Sequence, residues 1–436
     1  MLSRASLLAA WRARRGATSA MLAAGAGLAL GFAALATEAG GWYLAQRNAV
    51  TAADLAALAG ASARDRGAAA EPVARDTAAR NGFAAADGVQ VFNPPGSGAL
   101  LGNAAAVEVV VTQRQAMSLA TLFLGSAPSI RARAVALAQA DQPVCLLALQ
   151  GGLELGGNST TSAQRCVLGS NAAAPGGINI YGSARVRAAG LVTTGACSGC
   201  NGGDVWTDDT RTARPQAIAN RPDPITDPFA GLQSWSPAPP ACRTGAIDLN
   251  GNNNSSRTAA IAPGEGAICT SLSVGPRETL TLAPGLYYFN NASLDIRGTV
   301  SGSGVTLVFT GNVDTVGTLR INADSATTLT GPAESLIAGH AEGAGLIVYR
   351  DAVATNNGNA NEVRLNGGAA MRLTGGLYFP SSDVAVNGNS GALASSCMAV
   401  VGYRLSFSGT ADTQVDVSGC PGFSRYPVLR IVRLVE

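Results

Sequence analysis

Residues 285–298 read GLYYFNNASLDIRG, and residues 376–388 read GLYFPSSDVAVNG. Each stretch places a glycine before a short apolar run, then turn-forming residues, then a second short run that ends at another glycine. Gly, Asn and Asp can adopt the left-handed conformations that tight corners need. Short strands with such corners, repeated along a chain, are what a parallel β-helix requires, because each coil is stabilised by stacking on its neighbour.

Short apolar segments of this kind recur after Asp141, separated by Gly-Asn, Gly-Ser, Gly-Gly and Asn-Gly turns. They lie at residues 178–181, 185–187, 279–282, 286–289, 293–296, 305–309, 318–321, 346–349, 362–365, 371–373, 384–386 and 405–407. No helices separate them, so an alternating strand–helix sheet is not expected. We predict a mainly β protein in which residues 141–436 form a right-handed parallel β-helix with coils of roughly 20–30 residues. The alternative is a β-sandwich, which would need longer strands.

The composition excludes several classes of function. Of 436 residues, 30 are basic, 28 are acidic and one is His; Lys is absent, so every basic residue is Arg. A net charge of +2 and a pI of 8.1 argue against a nucleic-acid binder. Apolar residues make up 47%, which excludes a charge-driven disordered chain. A single His leaves little room for imidazole catalysis or His-ligated metals, and we expect neither a cofactor nor a metal.

The amino terminus predicts one membrane-spanning helix. Residues 1–16 carry four Arg and no acidic residue, and residues 17–37 carry no charge. An uncharged helix of this length can cross roughly 30 Å of hydrocarbon. Because basic segments stay on the cytoplasmic side, residues 1–16 are expected in the cytoplasm and the rest of the chain outside it. Residues 38–65 are predicted to extend the helix beyond the membrane.

A retained anchor is favoured over two alternatives. One alternative is a signal peptide cleaved at the small-x-small motif of residues 34–36, and the other is a buried core helix. Retention is favoured because the helical pattern continues to about Ala63, and because Trp42 and Tyr43 stand where interfacial aromatic residues are expected. Glu38, at the outer boundary, can reach the interface without being buried.

Several short motifs follow one another in this amino-terminal region. They are Arg14-Arg15-Gly16, the uncharged span, Glu38-Ala39-Gly40, the run from Tyr43 to Arg47, and the Ala-rich run at residues 52–59. Together they resemble the TadE/TadG-like family of tight-adherence (Tad, or Flp) pilus assembly proteins, over about the first 65 residues. The resemblance implies a membrane helix followed by a small α/β module. Larger TadG-like proteins also contain pectin-lyase-like β-helices.

One position departs from the pilin-like members of that family. Those members are cleaved after a Gly that is followed by four residues and then Glu. Here Gly16 is followed by four residues and then Met21. The chain is therefore more similar to the large, uncleaved TadG-like members.

Residues 66–140 predict the small α/β module. Helices are expected at residues 71–80 and 116–124, and strands at residues 89–92, 107–112 and 129–138.

The cysteines indicate an oxidising compartment. All eight lie after the predicted span: Cys145, Cys166, Cys197, Cys200, Cys242, Cys269, Cys397 and Cys420. An even number confined to that side fits disulfides in the periplasm. Sequence neighbours would pair as 145–166, 197–200, 242–269 and 397–420, but eight cysteines allow 105 connectivities, so the pairing stays open. The single Cys-x-x-Cys lacks the strand–helix context of thioredoxin-like motifs, so a structural disulfide is expected there rather than redox activity or a zinc site.

A Pro-rich stretch at residues 201–240 is predicted to be a long loop over the body. It contains the candidates for weak glycan contact, Trp206, Asp208, Asp209 and Trp235. Clustered carboxylates could serve as acids, bases or Ca²⁺ ligands in a polysaccharide-degrading site. No spacing fixes these residues on one surface, however. A solvated acidic loop, pinned to the body by its tryptophans, is the simpler interpretation.

From these patterns we expect a single-pass protein of the bacterial inner membrane with its carboxy-terminal body in the periplasm. The resemblance implies a structural or scaffolding role in Tad/Flp pilus assembly, with other Tad/Flp proteins as partners and no enzymatic activity. The alternative is an envelope protein that binds or degrades polysaccharides in a groove of the β-helix.

Overall fold

The structure, a computed structural model, describes residues 4–65, 67–84, 88–122, 125–138, 142–250, 256–323, 325–354, 363–366, 370–389, 393–394, 397–417, 420, 428–429 and 432–435. The chain divides into two compact units. The first, here called the module, comprises residues 1–140 and 430–436, and the second, the body, comprises residues 141–429.

In chain order the elements are α1 Arg4–Asp65, α2 Ala70–Arg80, β1 Val89–Phe92, β2 Ala106–Arg114, a 3₁₀ turn at Leu119–Leu122, β3 Ser129–Ala138, β4 Gln142–Leu155, β5 Thr160–Ser170, β6 Gly177–Ile180, β7 Arg185–Thr193, β8 Ala196–Ser198, β9 Asp204–Trp206, β10 Gln216–Ile218, α3 Ala230–Gln233, β11 Arg257–Ile261, β12 Leu272–Val274, β13 Glu278–Leu282, β14 Gly285–Asn290, β15 Leu294–Ile296, β16 Thr299–Ser303, β17 Val305–Thr310, β18 Leu319–Ile321, β19 Ala326–Thr330, a 3₁₀ turn at Ala341–Gly343, β20 Leu346–Arg350, β21 Val363–Leu365, β22 Ala370–Asn389, β23 Leu393–Ala394, β24 Met398–Thr410, β25 Asp412–Gln414, β26 Val428–Leu429 and β27 Val432–Leu434.

In the module, two helices pack on an antiparallel sheet with the strand order β1-β2-β3-β27. The predicted helix at residues 71–80 and all three predicted strands are present. The helix predicted at residues 116–124 is wrong. A single 3₁₀ turn at Leu119–Leu122 replaces it, because so short a segment cannot offset the cost of helix nucleation without packing along one face.

Small residues let α1 lie close to its neighbours in the module. Ala49, Ala53, Ala56 and Ala57 are fully buried against the sheet and α2, at the three- and four-residue spacing of one helix face. At Gly60, an added Cβ would lie only 3.1 Å from the Ala74 Cβ atom and 3.1 Å from a Val107 methyl group. The Ala-rich run of α1 is therefore a packing face.

A buried carboxylate ties the module sheet to the loop before β2. Glu108, 2% exposed, accepts hydrogen bonds from Arg133 Nε at 2.6 Å, Ser97 Oγ at 2.7 Å and the Gly96 N–H at 2.8 Å. Burial alone would raise the pKa of Glu108, but these donors, led by Arg133, lower it overall. The network therefore stabilises the folded module at neutral pH, and its contribution is lost as the pH falls through the lowered pKa.

The body is a three-faced parallel β-solenoid of about 10 turns. All strand pairs that join one coil to the next are parallel, whereas a β-sandwich is built from antiparallel pairs. The predicted parallel β-helix is thus confirmed over the alternative. The repeated sequences that begin at Gly285 in β14 and Gly376 in β22 lie on the same face, because β14 pairs with β17, β17 with β20 and β20 with β22.

One inward column shows how the core forms. Along the first face, the residues in register are Ala217, Leu191, Leu168, Leu146, Val400, Leu377, Val348, Leu307 and Tyr287. All of these belong to or pack against the central apolar cluster. Because side chains in a strand alternate between the two sides of a sheet, every second residue of each strand can enter this column.

The column also shows that the coils do not stack in sequence order. The chain enters the solenoid at β4 in its middle and adds coils in one direction as far as β10. It then crosses to the opposite end, resumes at β11, and adds coils back towards the middle. The last coil, β24 and β25, stacks on the first coil, β4 and β5.

The junction between the last and first coils is continuous. Val400 to Gly402 pair with Leu146 to Ala148, and Arg404 to Phe407 pair with Gly152 to Leu155. The ladder continues through backbone bonds from Gly156 N–H to the Phe407 carbonyl and from Thr160 N–H to the Ala411 carbonyl, each 2.8 Å. Ten coils therefore form one stack although the chain builds it from two pieces.

Residues 219–240, here called the strap, follow the outside of the first face. Asn171 exchanges two 2.7 Å hydrogen bonds with the Ile225 backbone. Further along, the Phe229 ring lies 5.1 Å from the Tyr378 ring, and the Tyr349 hydroxyl donates to the Leu232 carbonyl at 2.8 Å. The Pro-rich stretch 201–240 thus begins with strands β9 and β10, and its remainder is a packed strap.

We predict that Leu405→Ala at the junction destabilises the protein far more than Leu336→Ala. Leu405 is fully buried, whereas Leu336 is 39% exposed. Truncating a buried Leu costs about 2–5 kcal/mol because a cavity remains, and an exposed change usually stays within about 0.5 kcal/mol. Chemical unfolding of the detergent-solubilised, oxidised protein, followed by circular dichroism, measures both. Equal midpoints for the two variants would contradict this assignment of the junction.

Candidate functional site

The eight cysteines form four disulfides between sequence neighbours, 145–166, 197–200, 242–269 and 397–420. Three of these pairs are separated by 21, 27 and 23 residues. These separations are about one coil, so each such bond joins successive turns of the chain. All eight are oxidised, which leaves no thiolate for a zinc site. Cys197–Cys200 closes a corner after β8, as expected for a structural bond.

The carboxylates of Asp204, the first residue of β9, and of Asp209, in the loop after β9, are held by arginines. Asp204 lies 3.1 Å from both Arg187 and Arg211 and 3.7 Å from Arg185. Asp209 lies 2.9 Å from Arg187 Nε and accepts from Gln164 at 3.2 Å. Since Arg187 is only 4% exposed, this cluster neutralises a nearly buried guanidinium at the end of the solenoid.

Asp208 has a different environment from its neighbour. Its carboxylate accepts hydrogen bonds from the Thr210 hydroxyl at 2.5 Å and the Thr210 N–H at 2.9 Å. These bonds, the hydroxyl first, lower the pKa of Asp208. A general acid in glycoside hydrolysis needs a raised pKa instead. The arrangement resembles an Asx-type turn that shapes the loop.

The two candidate tryptophans lie far apart. The Trp206 ring is covered by the Arg214 guanidinium at 3.8 Å, and Arg214 also donates to the Val205 carbonyl at 2.7 Å. Trp235 lies on the strap, with its ring 5.3 Å from Tyr349 and 5.9 Å from His340. The structure thus brings Trp206, Asp208 and Asp209 into one loop and leaves Trp235 several coils away.

Sequence reasoning missed the apolar outer column beneath the strap. Tyr349, Tyr378, Leu147, Val308 and Val401 point away from the core yet are at most 1% exposed. The Tyr378 hydroxyl donates to Asp227 of the strap at 2.7 Å. A signal existed in the sequence. Residues 346–349 (LIVY) and 305–309 (VTLVF) are nearly continuous apolar runs, which are typical of strands covered on both sides. In the structure, Leu346–Arg350 and Val305–Thr310 are buried at every position.

Arg350 is a buried cation at the end of β20, next to Asp351 in the chain. It is 1% exposed and donates to the carbonyls of Gly317 at 2.7 Å and Val316 at 2.9 Å and to Ser382. Asp351 instead accepts from Thr310 at 2.6 Å. Burial lowers the pKa of Arg350 to about 10, so it stays charged at neutral pH and joins β20 to β22 and to the loop before β18.

A cleft of about 420 Å³ lies beside the Cys242–Cys269 disulfide. Its lining includes Arg243, Ile247, Leu249, Thr270 and Ser271. Arg243 lies 3.1 Å from Glu265. No Asp, Glu or His lines this cleft, so it offers no acid–base pair. Among the described residues, no group of three His, Cys, Asp or Glu could hold a metal ion.

The long helix α1 changes character along its length. One helix of the described chain, Met21–Asp65, is long and apolar enough to cross a membrane, with a mean hydropathy of 1.5 in its most apolar stretch. Met21, Leu22 and Leu28 are 66–76% exposed. From Ala49 onward one face is buried in the module. Among the described side chains, those of residues 21–29 thus form an exposed apolar surface on the helix.

Glu38 stands where the two parts of α1 meet. Its carboxylate accepts hydrogen bonds from the Ser118 N–H at 2.8 Å and the Ala120 N–H at 3.0 Å. Thr121 closes the same turn by donating to the Ser118 carbonyl at 2.7 Å. The carboxylate therefore caps the 3₁₀ turn that follows β2. This is the acid of the Glu38-Ala39-Gly40 motif, and its role is to fix that turn to the helix.

Comparison with known proteins bears on α1. No curated protein and no solved structure matches the chain. The family model of putative Flp pilus-assembly TadE/G-like proteins matches residues 16–63. The matched segment begins directly after the Arg cluster, includes Glu38, and ends two residues before α1 does. The resemblance that the sequence motifs indicated is confirmed for this segment: residues 16–63 match the TadE/G-like Flp pilus-assembly family.

Proposed function

We propose that this protein is a membrane-anchored component of Tad/Flp pilus assembly, and that its β-solenoid is a rigid scaffold in the periplasm for other assembly proteins. The observation that carries the proposal is the family match on residues 16–63. It falls on a helix whose first part is apolar and exposed and whose second part is the packing face of a folded module.

The charge distribution and the disulfides support the proposed orientation of the chain in the membrane, with the amino end in the cytoplasm and the body in the periplasm. Four Arg precede the apolar stretch and no acidic residue accompanies them, which favours a cytoplasmic amino end. The four disulfides lie entirely in the body, and such bonds persist in an oxidising compartment such as the periplasm. Both features favour a single-pass inner-membrane protein whose body is periplasmic.

The chemistry of the body favours a scaffold over an enzyme. Asp204 and Asp209 serve Arg187, and the lowered pKa of Asp208 suits a loop-shaping carboxylate. Trp206 is covered by Arg214, and Trp235 by the aromatic residues beneath the strap. A solenoid needs no catalytic side chains to be stable, since each coil is stabilised by stacking on its neighbours. Its long side surfaces are suited to binding extended protein partners.

The topology predicts that a reporter active only in the periplasm is active when fused after Ala140. The Arg cluster should hold residues 1–16 inside, so the same reporter fused after Gly16 should be inactive. Enzyme assays on intact cells measure both fusions. Activity at residue 140 from a cytoplasm-only reporter would overturn the orientation and the argument from the disulfides.

The scaffold proposal predicts that Asp208→Asn with Asp209→Asn leaves pilus assembly unchanged. Asp209 is 79% exposed in its side chain, and its partner Arg187 keeps Asp204 at 3.1 Å as a counter-ion in the double variant. The contrasting variant, Cys145→Ala with Cys166→Ala, should impair assembly because losing a native disulfide costs about 2–5 kcal/mol. Pili are counted after complementing a deletion strain.

The double Asp variant also tests the polysaccharide alternative. The purified protein is incubated with acidic and neutral polysaccharides, with and without Ca²⁺, and products are separated by size. We expect no cleavage. Cleavage that disappears in the double Asp variant would make the protein an enzyme and end the scaffold proposal.

A further inference from the structure

We infer that one end of the module binds the surface of the membrane that α1 crosses, through the interfacial turn (residues 115–122) and the flanking Arg114 and Arg131, with anionic phospholipids as the ligand. This inference rests on the proposed membrane anchor. It adds a second contact with lipid, made by a folded part of the chain.

The turn lies at the level of the predicted membrane boundary. Glu38 is the first charged residue after the uncharged run of residues 17–37, and its carboxylate holds Ser118 and Ala120 at 2.8 and 3.0 Å. A side chain of this length brings the backbone of the turn against the helix at residue 38. Wherever residue 38 meets the headgroups, the turn meets them too.

Only this end of the module can reach the membrane. Gly60 of α1 packs against Val107 near the start of β2, while Glu38 holds the turn just after Arg114, where β2 ends. The 22 residues between Glu38 and Gly60 rise about 33 Å along the helix. The helix and β2 therefore run in opposite directions, and the loop at residues 93–103 lies at the far end.

The chemistry of the near end matches an anionic bilayer surface. The interfacial turn reads QAMSLATL and carries no charge. Arg114 and Arg131 are exposed on the adjacent ends of β2 and β3, and neither forms an ion pair within the described chain. Uncharged residues flanked by cations favour the headgroup region, where guanidinium groups meet lipid phosphates. Trp42 and Tyr43 follow one helical turn later, as interfacial aromatics do.

Lipid photocrosslinking tests the inference. The photoreactive residue benzoylphenylalanine replaces Leu35 in the span, Thr121 in the interfacial turn, or Leu101 at the far end, in the full-length protein. All three sites are exposed. The proteins are reconstituted into vesicles of phosphatidylethanolamine and phosphatidylglycerol, irradiated, and analysed by intact mass. We expect phospholipid adducts at Leu35 and Thr121 and none at Leu101.

The outcomes separate this inference from the proposed function. Adducts at Leu35 alone would leave the anchor standing and overturn the interfacial turn. No adduct at Leu35 would overturn the anchor itself. Equal adducts at Thr121 and Leu101 would mean that lipid contact is not confined to one end, which also contradicts the inference.

Two variants test the residues responsible. Glu38→Ala should abolish the Thr121 adduct and keep the Leu35 adduct, because the turn is released while the span remains. Arg114→Gln with Arg131→Gln should reduce the Thr121 adduct in phosphatidylglycerol vesicles to its level in neutral phosphatidylcholine vesicles. An unchanged Thr121 adduct in either variant would contradict the assigned role of those residues. Retained protease resistance of the module, which contains all three substituted positions, shows that each variant is folded.

Discussion

The parallel ladder between the last and first coils of the solenoid holds the body together. Its pairs, Val400 with Leu146 and Leu405 with Leu153, join residues about 250 positions apart in the chain. Without them the body would be two separate stacks with four open ends, and open strand edges are liabilities in β-proteins. With them, ten coils bury one core and only two ends remain. Nearest-neighbour stacking then stabilises every coil in the same way.

The strap is a consequence of that junction. Because the chain builds outward from the middle, it must return from one end of the stack to the other before it can finish. β10 ends at Ile218 and β11 begins at Arg257, and the intervening segment must pass along about ten coils, roughly 48 Å at the strand spacing. The strap follows the first face and covers the outward-pointing side chains there. Because they are shielded from water, these side chains can be apolar. Asn171, Tyr349 and Tyr378 fasten the strap through its backbone and Asp227.

Much of the fold could be predicted from the sequence. Short segments bounded by Gly and Asn fix the strands and corners. The disulfide connectivity stayed open, and the structure pairs sequence neighbours, three of the pairs being about one coil apart. Coil order could not be predicted, because parallel coils meet through backbone bonds and apolar columns that look alike in every turn. Strands were also longer than expected. Ala370–Asn389 covers three faces without a break, since a solenoid corner can stay extended.

The candidate site residues were also only partly predictable from the sequence. Sequence placed Trp206, Asp208 and Asp209 in one loop, but only the structure shows which arginines hold the carboxylates of that loop. Glu38 was expected to reach the membrane interface, and the structure adds the backbone groups that it binds. Buried Arg350 could not be recognised, because its partners are main-chain carbonyls from residues 316 and 317.

The order of the coils is the central claim, and an added disulfide tests it most directly. Glu154 and Ser406 face each other across the junction, at a strand spacing that a disulfide can bridge. In Glu154→Cys with Ser406→Cys, non-reducing peptide mapping should find the two new cysteines joined. In the control, Glu154→Cys with Ser273→Cys, the second cysteine lies on the same face but in β12, several coils away from β4, so the two cysteines should stay unlinked. A linked control, or an unlinked junction pair, would contradict the proposed stacking.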